Sequence, residues 1–319
     1  MNLNRYAKYA WSVVAYNILV ILWGAFVRAS FSGAGCGSHW PLCNGEVVPM
    51  NPSIERIIEF THRATSGIAL VLIVVLIVWA FRAYPWGLVR KGAVATGVFI
   101  ITESLLGASL VLFGWVALDR SVWRVYSMGL HLINTFLLLG AMTLTAWWAS
   151  GGKAIQFRGR PTQTTLLIVA LVGVVVIGVT GAITALGDTL FPAQSLAQGL
   201  RQHFDPTANF LIQLSVVHPF IAVGVSAYLW FLTVFMNRAE TALTRKLGLG
   251  VRVLVIVQPI VGVTNILLLA PIWMQIVHLL LADLLWITLI LYGASFLAAE
   301  TTPTRESTTP RGAVNAPAE

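Results

Sequence analysis

The 319-residue chain is 57% hydrophobic and only 10% charged, with a mean hydropathy of +0.82; a soluble domain carries about 25% charged residues. This balance excludes an ordinary soluble globule and indicates a polytopic membrane protein. The net charge of +8 is no nucleic-acid signal, because the basic residues gather in alternate loops between apolar segments.

The first apolar segment, after Lys8, is too long for the h-region of a signal peptide and lacks a small-residue cleavage site. No cleavable leader is expected. Eight segments approach or exceed the roughly 18–20 apolar residues that a bilayer requires: 9–28, 58–81, 92–118, 124–149, 163–187, 208–236, 248–270 and 272–298. Unpaired strand backbone is not tolerated in lipid, so each is expected to be a helix. Pro271 separates the last two spans and predicts a tight helical hairpin. Arg5, Lys8, Arg82, Arg90, Lys91, Lys153, Arg158, Arg160, Arg238, Arg245, Lys246, Arg305 and Arg311 fall in one set of loops and termini. The opposite set holds only Arg28, Arg56, Arg120, Arg124 and Arg201. The richer side is expected to be cytoplasmic, with both termini on it. Trp11, Trp86, Trp115, Trp123, Trp147 and Trp148 lie near span ends, as an aromatic belt requires. The polar, Pro/Thr-rich residues 301–319 predict a disordered cytoplasmic tail.

Two outer loops are long. Residues 29–56 contain both cysteines, Cys36 and Cys43. On an oxidising face these can close a small loop worth about 2–3 kcal/mol in the chain-entropy model. Free thiols, or a metal site including His39, are the alternatives. Residues 188–207 space Leu196, Leu200 and Phe204 four apart. That is consistent with a short amphipathic helix on the outer surface and equally with a plain loop.

Of six histidines, His39 and His203 fall in outer loops and read as surface residues. His62, His131, His218 and His278 lie near the outer ends of spans 2, 4, 6 and 8, the four that run inward. His62 to His218 is 156 residues and His131 to His278 is 147. Other stretches recur at similar offsets: "WGAFVRASFSGAG" against "TGAITALGDTLFPA", with Gly24 facing Gly181, and "TESLLGASLVL" against "VQPIVGVTNILL", with Glu103 facing Gln258. The pattern predicts two four-helix bundles related as parallel repeats: residues 1–150, carrying the loop with both cysteines, and 151–300.

Ionisable residues inside a span are costly and generally functional. A proton relay, a metal site and haem are the chemistries open to paired histidines. Two imidazoles facing one another across a bundle suit haem best, since a porphyrin brings four equatorial nitrogens and needs only an axial pair. Arg28, Arg63, Arg124 and Arg201 are candidate partners for propionates. Interfacial arginines explain them nearly as well. Glu59 lies three residues before His62, on the same helix face; the position three before His218 is Ser215. This asymmetry predicts one haem that is acted upon and one that is retained. An ordinary ion pair from Glu59 to Arg63 is the alternative.

With these residues in view, the chain resembles the haem A synthases. The likeness rests on "GCGSHWPLCNG", "IIEFTHRATSG", "TESLLGASLVLFGWV", "HLINTFLLLGAMTLTAWW", "TGAITALGDTLFPA", "QLSVVHPFIAV" and "QPIVGVTNILLLAPIWMQIVHLLLADLLWI", and covers about residues 24–298. The resemblance implies a cell-membrane enzyme with its haem sites toward the outer face. It implies substrate haem O between His62 and His131, haem b between His218 and His278, Glu59 as the essential carboxylate, and a Cys36–Cys43 disulfide. The implied reaction oxidises a porphyrin methyl to a formyl group, through hydroxymethyl and a geminal diol, giving haem A. The implied partners are a haem O-producing prenyltransferase, an electron carrier of unknown identity and the lipid bilayer. Some relatives carry a second cysteine pair between spans 5 and 6; "LFPAQSLAQGL" has none. Two other readings stand beside this one. One is a non-catalytic dihaem b-type cytochrome. The other is a parallel-repeat transporter coupling through Glu103 and Asp283, residues that helix–helix hydrogen bonding would otherwise explain.

Overall fold

The structure, a computed structural model, describes residues 3–236 and 241–298. The tail read as disordered lies outside the described residues. Ten α-helices account for nearly all of the described chain: α1 Arg5–Ala29, α2 Ile54–Ala83, α3 Leu88–Leu112, α4 Val122–Ala149, α5 Pro161–Leu190, α6 Leu196–Phe204, α7 Phe210–Ser215, α8 Val217–Phe235, α9 Ala242–Leu267 and α10 Ile272–Ala298. Counting α7 and α8 together, eight are long and apolar enough to cross a membrane, as an all-α polytopic protein requires.

Local chemistry sets the ends. The side chains of Asn4, Ser53, Ser121 and Thr241 each accept a backbone N–H in the first turn of α1, α2, α4 and α9. These caps satisfy donors that have no partner within the helix. Pro161 opens α5, where its missing N–H removes nothing. The third span stops at Leu112, short of the expected 118. The backbone turns out at Gly114 (φ 71°) and Ala117 (φ 51°), and Trp115 N–H closes the end on Leu110 O at 2.8 Å. Span seven begins six residues before the expected 248, because Thr241 caps a helix that carries Arg245 and Lys246 beyond the apolar run. The hairpin at Pro271 is present: Leu269 and Ala270 take positive φ, and Ala270 N–H reaches Asn265 O at 2.8 Å.

The sixth span is not one helix. It breaks at Val216, between α7 and α8. Pro219 has no N–H to give Ser215 O, and its ring crowds that carbonyl. Thr184 Oγ1 approaches the released oxygen at 3.5 Å. The break falls two residues before His218. The expected amphipathic segment is helical: α6 lies along residues 196–204 with Leu200 and Phe204 strongly exposed.

Packing closes two rings of spans. α1 touches α2 and α4, and α3 touches α2 and α4; α5 touches α7, α8 and α10, and α9 touches α8 and α10. The rings meet where α4 packs on α5 and α10, and α1 on α10. A continuous apolar core runs across this seam. At its centre Trp286 stacks on Phe136 at 5.0 Å between ring centres and donates its indole N–H to Phe136 O at 2.7 Å.

Candidate functional site

The second, fourth, sixth and eighth spans bring their histidines to the same stage of the helix, within about three turns of its start. Each ring is half-buried, and each rests against a glycine of the preceding span. A Cβ on Gly24 would lie 2.9 Å from His62 Cε1 and 3.1 Å from its Nε2. One on Gly181 would lie 3.0 Å from His218 Cε1; on Gly262, 3.3 Å from His278 Cε1; on Gly107, 3.7 Å from His131 Cε1. At Gly24, Gly181 and Gly262 the ring edge thus takes the space of a missing side chain, whereas at Gly107 a methyl would only touch the ring.

His218 and His278 face one another with ring centres 6.5 Å apart and planes at 87°. A metal ion shared by two imidazoles needs about 2 Å for each bond and roughly 1 Å more to each ring centre, hence about 6 Å in all. The observed span fits one iron. His62 and His131 lie within electrostatic reach of each other. Nδ1 of His62, of His131 and of His278 is buried with no hydrogen-bond partner; Nδ1 of His218 meets Thr180 Oγ1 at 3.2 Å. Among the described residues no three His, Cys, Asp or Glu side chains cluster as a metal site would need. The His218–His278 pair has the spacing that a porphyrin's two axial positions need.

Glu59 is buried, 3% exposed, in the second turn of α2. Its Oε2 accepts the Cys36 N–H at 2.7 Å. Its Oε1 accepts Arg63 Nε at 3.1 Å and Nη2 at 2.5 Å. Arg63 Nη1 also donates to His39 O at 2.5 Å and Leu42 O at 2.8 Å. The Glu59–Arg63 ion pair anticipated as an alternative therefore exists, and it is part of a larger knot that ties the carboxylate to the loop. Cys36 and Cys43 are joined by a disulfide. Within that loop Asn44 N–H bonds Cys36 O, and Cys43 and Glu46 exchange backbone hydrogen bonds. At Gly35 the loop backbone passes so close to the start of α2 that a Cβ would sit 2.6 Å from Glu55 O. A side chain there would lift the loop off Glu59.

On α3, Glu103 accepts Asn134 Nδ2 at 2.6 Å and the Thr135 hydroxyl, and its Oε2 lies 3.5 Å from Nδ1 of His131. Thr102 Oγ1 completes the cluster by donating to Asn134 Oδ1 at 2.6 Å. The helix–helix hydrogen bonding expected of Glu103 is present. Asp283 differs: it is fully buried, and neither carboxylate oxygen has a hydrogen-bond partner.

The arginines are largely engaged. Arg28 Nη1 donates to Ala185 O at 2.7 Å and Thr189 Oγ1 at 3.0 Å, and Nη2 to Gln275 Oε1 at 2.9 Å, so it bridges the two rings of spans. Arg124 is buried, with Nη1 on Ala117 O and Asp119 O, both at 2.7 Å, while its Nε has no partner. Arg63 is spent on Glu59 and the loop. Arg201 lies exposed on α6. His203 bonds Gly199 O within α6 through Nδ1 at 2.7 Å. Sequence reasoning missed the glycine contact on every ring and the Asn134–Thr135 partners of Glu103. The repeated Gly24 and Gly181 were the one available signal for the first.

Residues 7–290 match the COX15-CtaA family, described as cytochrome oxidase assembly protein. The chain is 47% identical over 296 residues, 92% of its length, to a protein of Thermus thermophilus named protoheme IX farnesyltransferase, and spans 49% of that protein. It is 45% identical over 98 residues to a heme A synthase of Halalkalibacterium halodurans, covering 30% of this chain and 33% of that one. A heme A synthase of Bacillus mycoides is 40% identical over 114 residues, 35% of this chain and 37% of that protein. The chain thus spans about half the length of the Thermus relative, and the synthase matches cover about a third. With a match that runs through every one of its eight spans, the chain belongs to the COX15-CtaA family of cytochrome oxidase assembly proteins.

Proposed function

We propose that this protein is a haem A synthase, oxidising a methyl group of haem O to a formyl group. The observation that carries the reading is the buried Glu59, held at the outer end of α2 on the helix face of His62, in a chain whose relatives include proteins named heme A synthase. His62 and His131 hold the iron of the substrate haem in the first four spans. His218 and His278 hold a haem b in the last four, and the two sets of spans act as parallel repeats. When bound, haem b supplies one-electron transfer between the substrate site and an external carrier.

Glu59 is the proton acceptor as the methyl C–H bonds give way. A base must be placed before it is strong. Arg63 fixes Oε1 through two N–H groups, and Oε2, held by the loop backbone and free of the guanidinium, is the oxygen that takes the proton. The disulfide loop holds that geometry and keeps water from the outer surface away from the carboxylate. Arg124, whose buried Nε is unpartnered, and the exposed Arg201 are the arginines best placed to meet propionates; Arg28 joins the halves instead. The protein lies in the cell membrane with both termini cytoplasmic and the haem sites outward. A haem O-producing prenyltransferase is its supplier. The Thermus relative carries a farnesyltransferase name, and about half of it lies beyond the match.

Extraction and chromatography of the pigment from the purified protein test this reading. Haem O or haem A should appear beside haem B, and His278→Ala should remove haem B alone. Haem B as the sole pigment, or an unchanged b-type spectrum in His278→Ala, would replace the synthase with an electron-transfer cytochrome.

A further inference from the structure

We propose that Glu103 is a positioning residue for the first haem site: its carboxylate, set against His131, makes that imidazole a stronger ligand and lowers the site's reduction potential relative to the second. The inference rests on the proposal that His62 and His131 hold the substrate iron. Its own basis is the contrast between the four rings. Only His131 has a carboxylate beside Nδ1, at 3.5 Å, a charge contact longer than a hydrogen bond that leaves Nδ1 otherwise unpartnered. The oxygens of Glu103 accept from the Asn134 amide and the Thr135 hydroxyl, an acceptor-only role that suits a carboxylate. Asn134 is itself fixed by Thr102 Oγ1 and by Phe99 O, the latter at 2.9 Å. The group is therefore placed by three side chains and not left to sample the helix surface.

The second half has no counterpart. Gln258, which the sequence sets opposite Glu103, donates its amide to the backbone oxygen of His278 at 3.2 Å. Nδ1 of His278 has no carboxylate near it, and His218 has neutral partners, the Thr180 hydroxyl and the Ile177 backbone. A carboxylate behind a ligating imidazole raises its electron donation and favours the more highly charged iron. Removing such a partner typically weakens the metal site about 10- to 100-fold.

Redox titration of the purified full-length protein, loaded with haem O and followed by its visible spectrum, separates the possibilities. Glu103→Gln keeps the shape and removes the charge. The first-site potential should rise and its haem be retained about tenfold less tightly, with the second site unmoved. Glu103→Asp keeps the charge at a longer reach, and should fall between wild type and Gln. A purely structural role predicts the opposite order, with the shorter Asp more disruptive. Gln258→Glu, which leaves α3 and α4 untouched, should lower the second-site potential. A wild-type potential in Glu103→Gln together with no change in Gln258→Glu would overturn the inference. Retention of both haems in His131→Ala would instead overturn the underlying site assignment.

Discussion

Around His62 and His131 stand Glu59, Arg63 and Glu103; around His218 and His278 stand Ser215, Thr180 and Gln258. The rings are seated alike in both places, each on a glycine of the span before, while the polar groups behind them differ in charge. Geometry that is shared would serve, under the proposed function, what the two sets of spans have in common, the grip on a flat ligand. Chemistry that is not shared marks where a reaction can be driven. Ser215 shows this most directly. It occupies the place of Glu59, but its hydroxyl turns back on Ile212 O at 2.6 Å, in the turn that Pro219 breaks.

Removing the charge that most separates the two halves should have the largest effect. Glu59→Ala should retain both haems and lower haem A formation at least about 100-fold, the scale of a lost general base, measured as haem A per protein in cells making haem O. Normal haem A yield would erase the functional distinction between the halves. The shared contact gives a smaller and more local effect. Gly24→Ala and Gly181→Ala place a methyl about 3 Å from a ring carbon. Overpacking of that kind costs about 1–3 kcal/mol, so each should loosen the haem of its own half about tenfold or more. Gly107→Ala, with 3.7 Å to spare, should bind haem as wild type does. Equal losses in all three variants would show that the glycines serve helix packing and not the rings. The smallest effect lies on the seam. Trp286→Phe preserves the stack on Phe136 and deletes one buried N–H donor. It should lower stability by about 1 kcal/mol in a denaturation experiment, with the pigment of both halves unchanged.

Much of this was legible in the amino-acid order because the bilayer imposes a coarse rule. Eight apolar runs became eight spans, Pro271 made its hairpin, and Leu196, Leu200 and Phe204 defined α6. Other features depend on partners distant in the chain. Nothing local to Arg28 announces Ala185 and Gln275, and an arginine at a helix end reads equally as a propionate partner. Glu103 looked like interhelical glue, which it is; its nearness to His131 is fixed by how α3 packs on α4. The early end of α3 was hidden because residues 113–118 are apolar, and only their backbone turns them out of the helix. The break in the sixth span had a visible cause in Pro219 that hydropathy alone passes over.

The knot at Arg63 ties an ion pair within one helix to the loop beside it. The same guanidinium that holds Glu59 also grips the carbonyls of His39 and Leu42, and the same carboxylate holds the amide of Cys36. Displacing the 36–43 segment would take the Cys36 amide from the carboxylate and two carbonyls from the guanidinium, yet leave the ion pair intact, because both of its members ride on α2. The loop can therefore loosen without the acid losing its counter-charge.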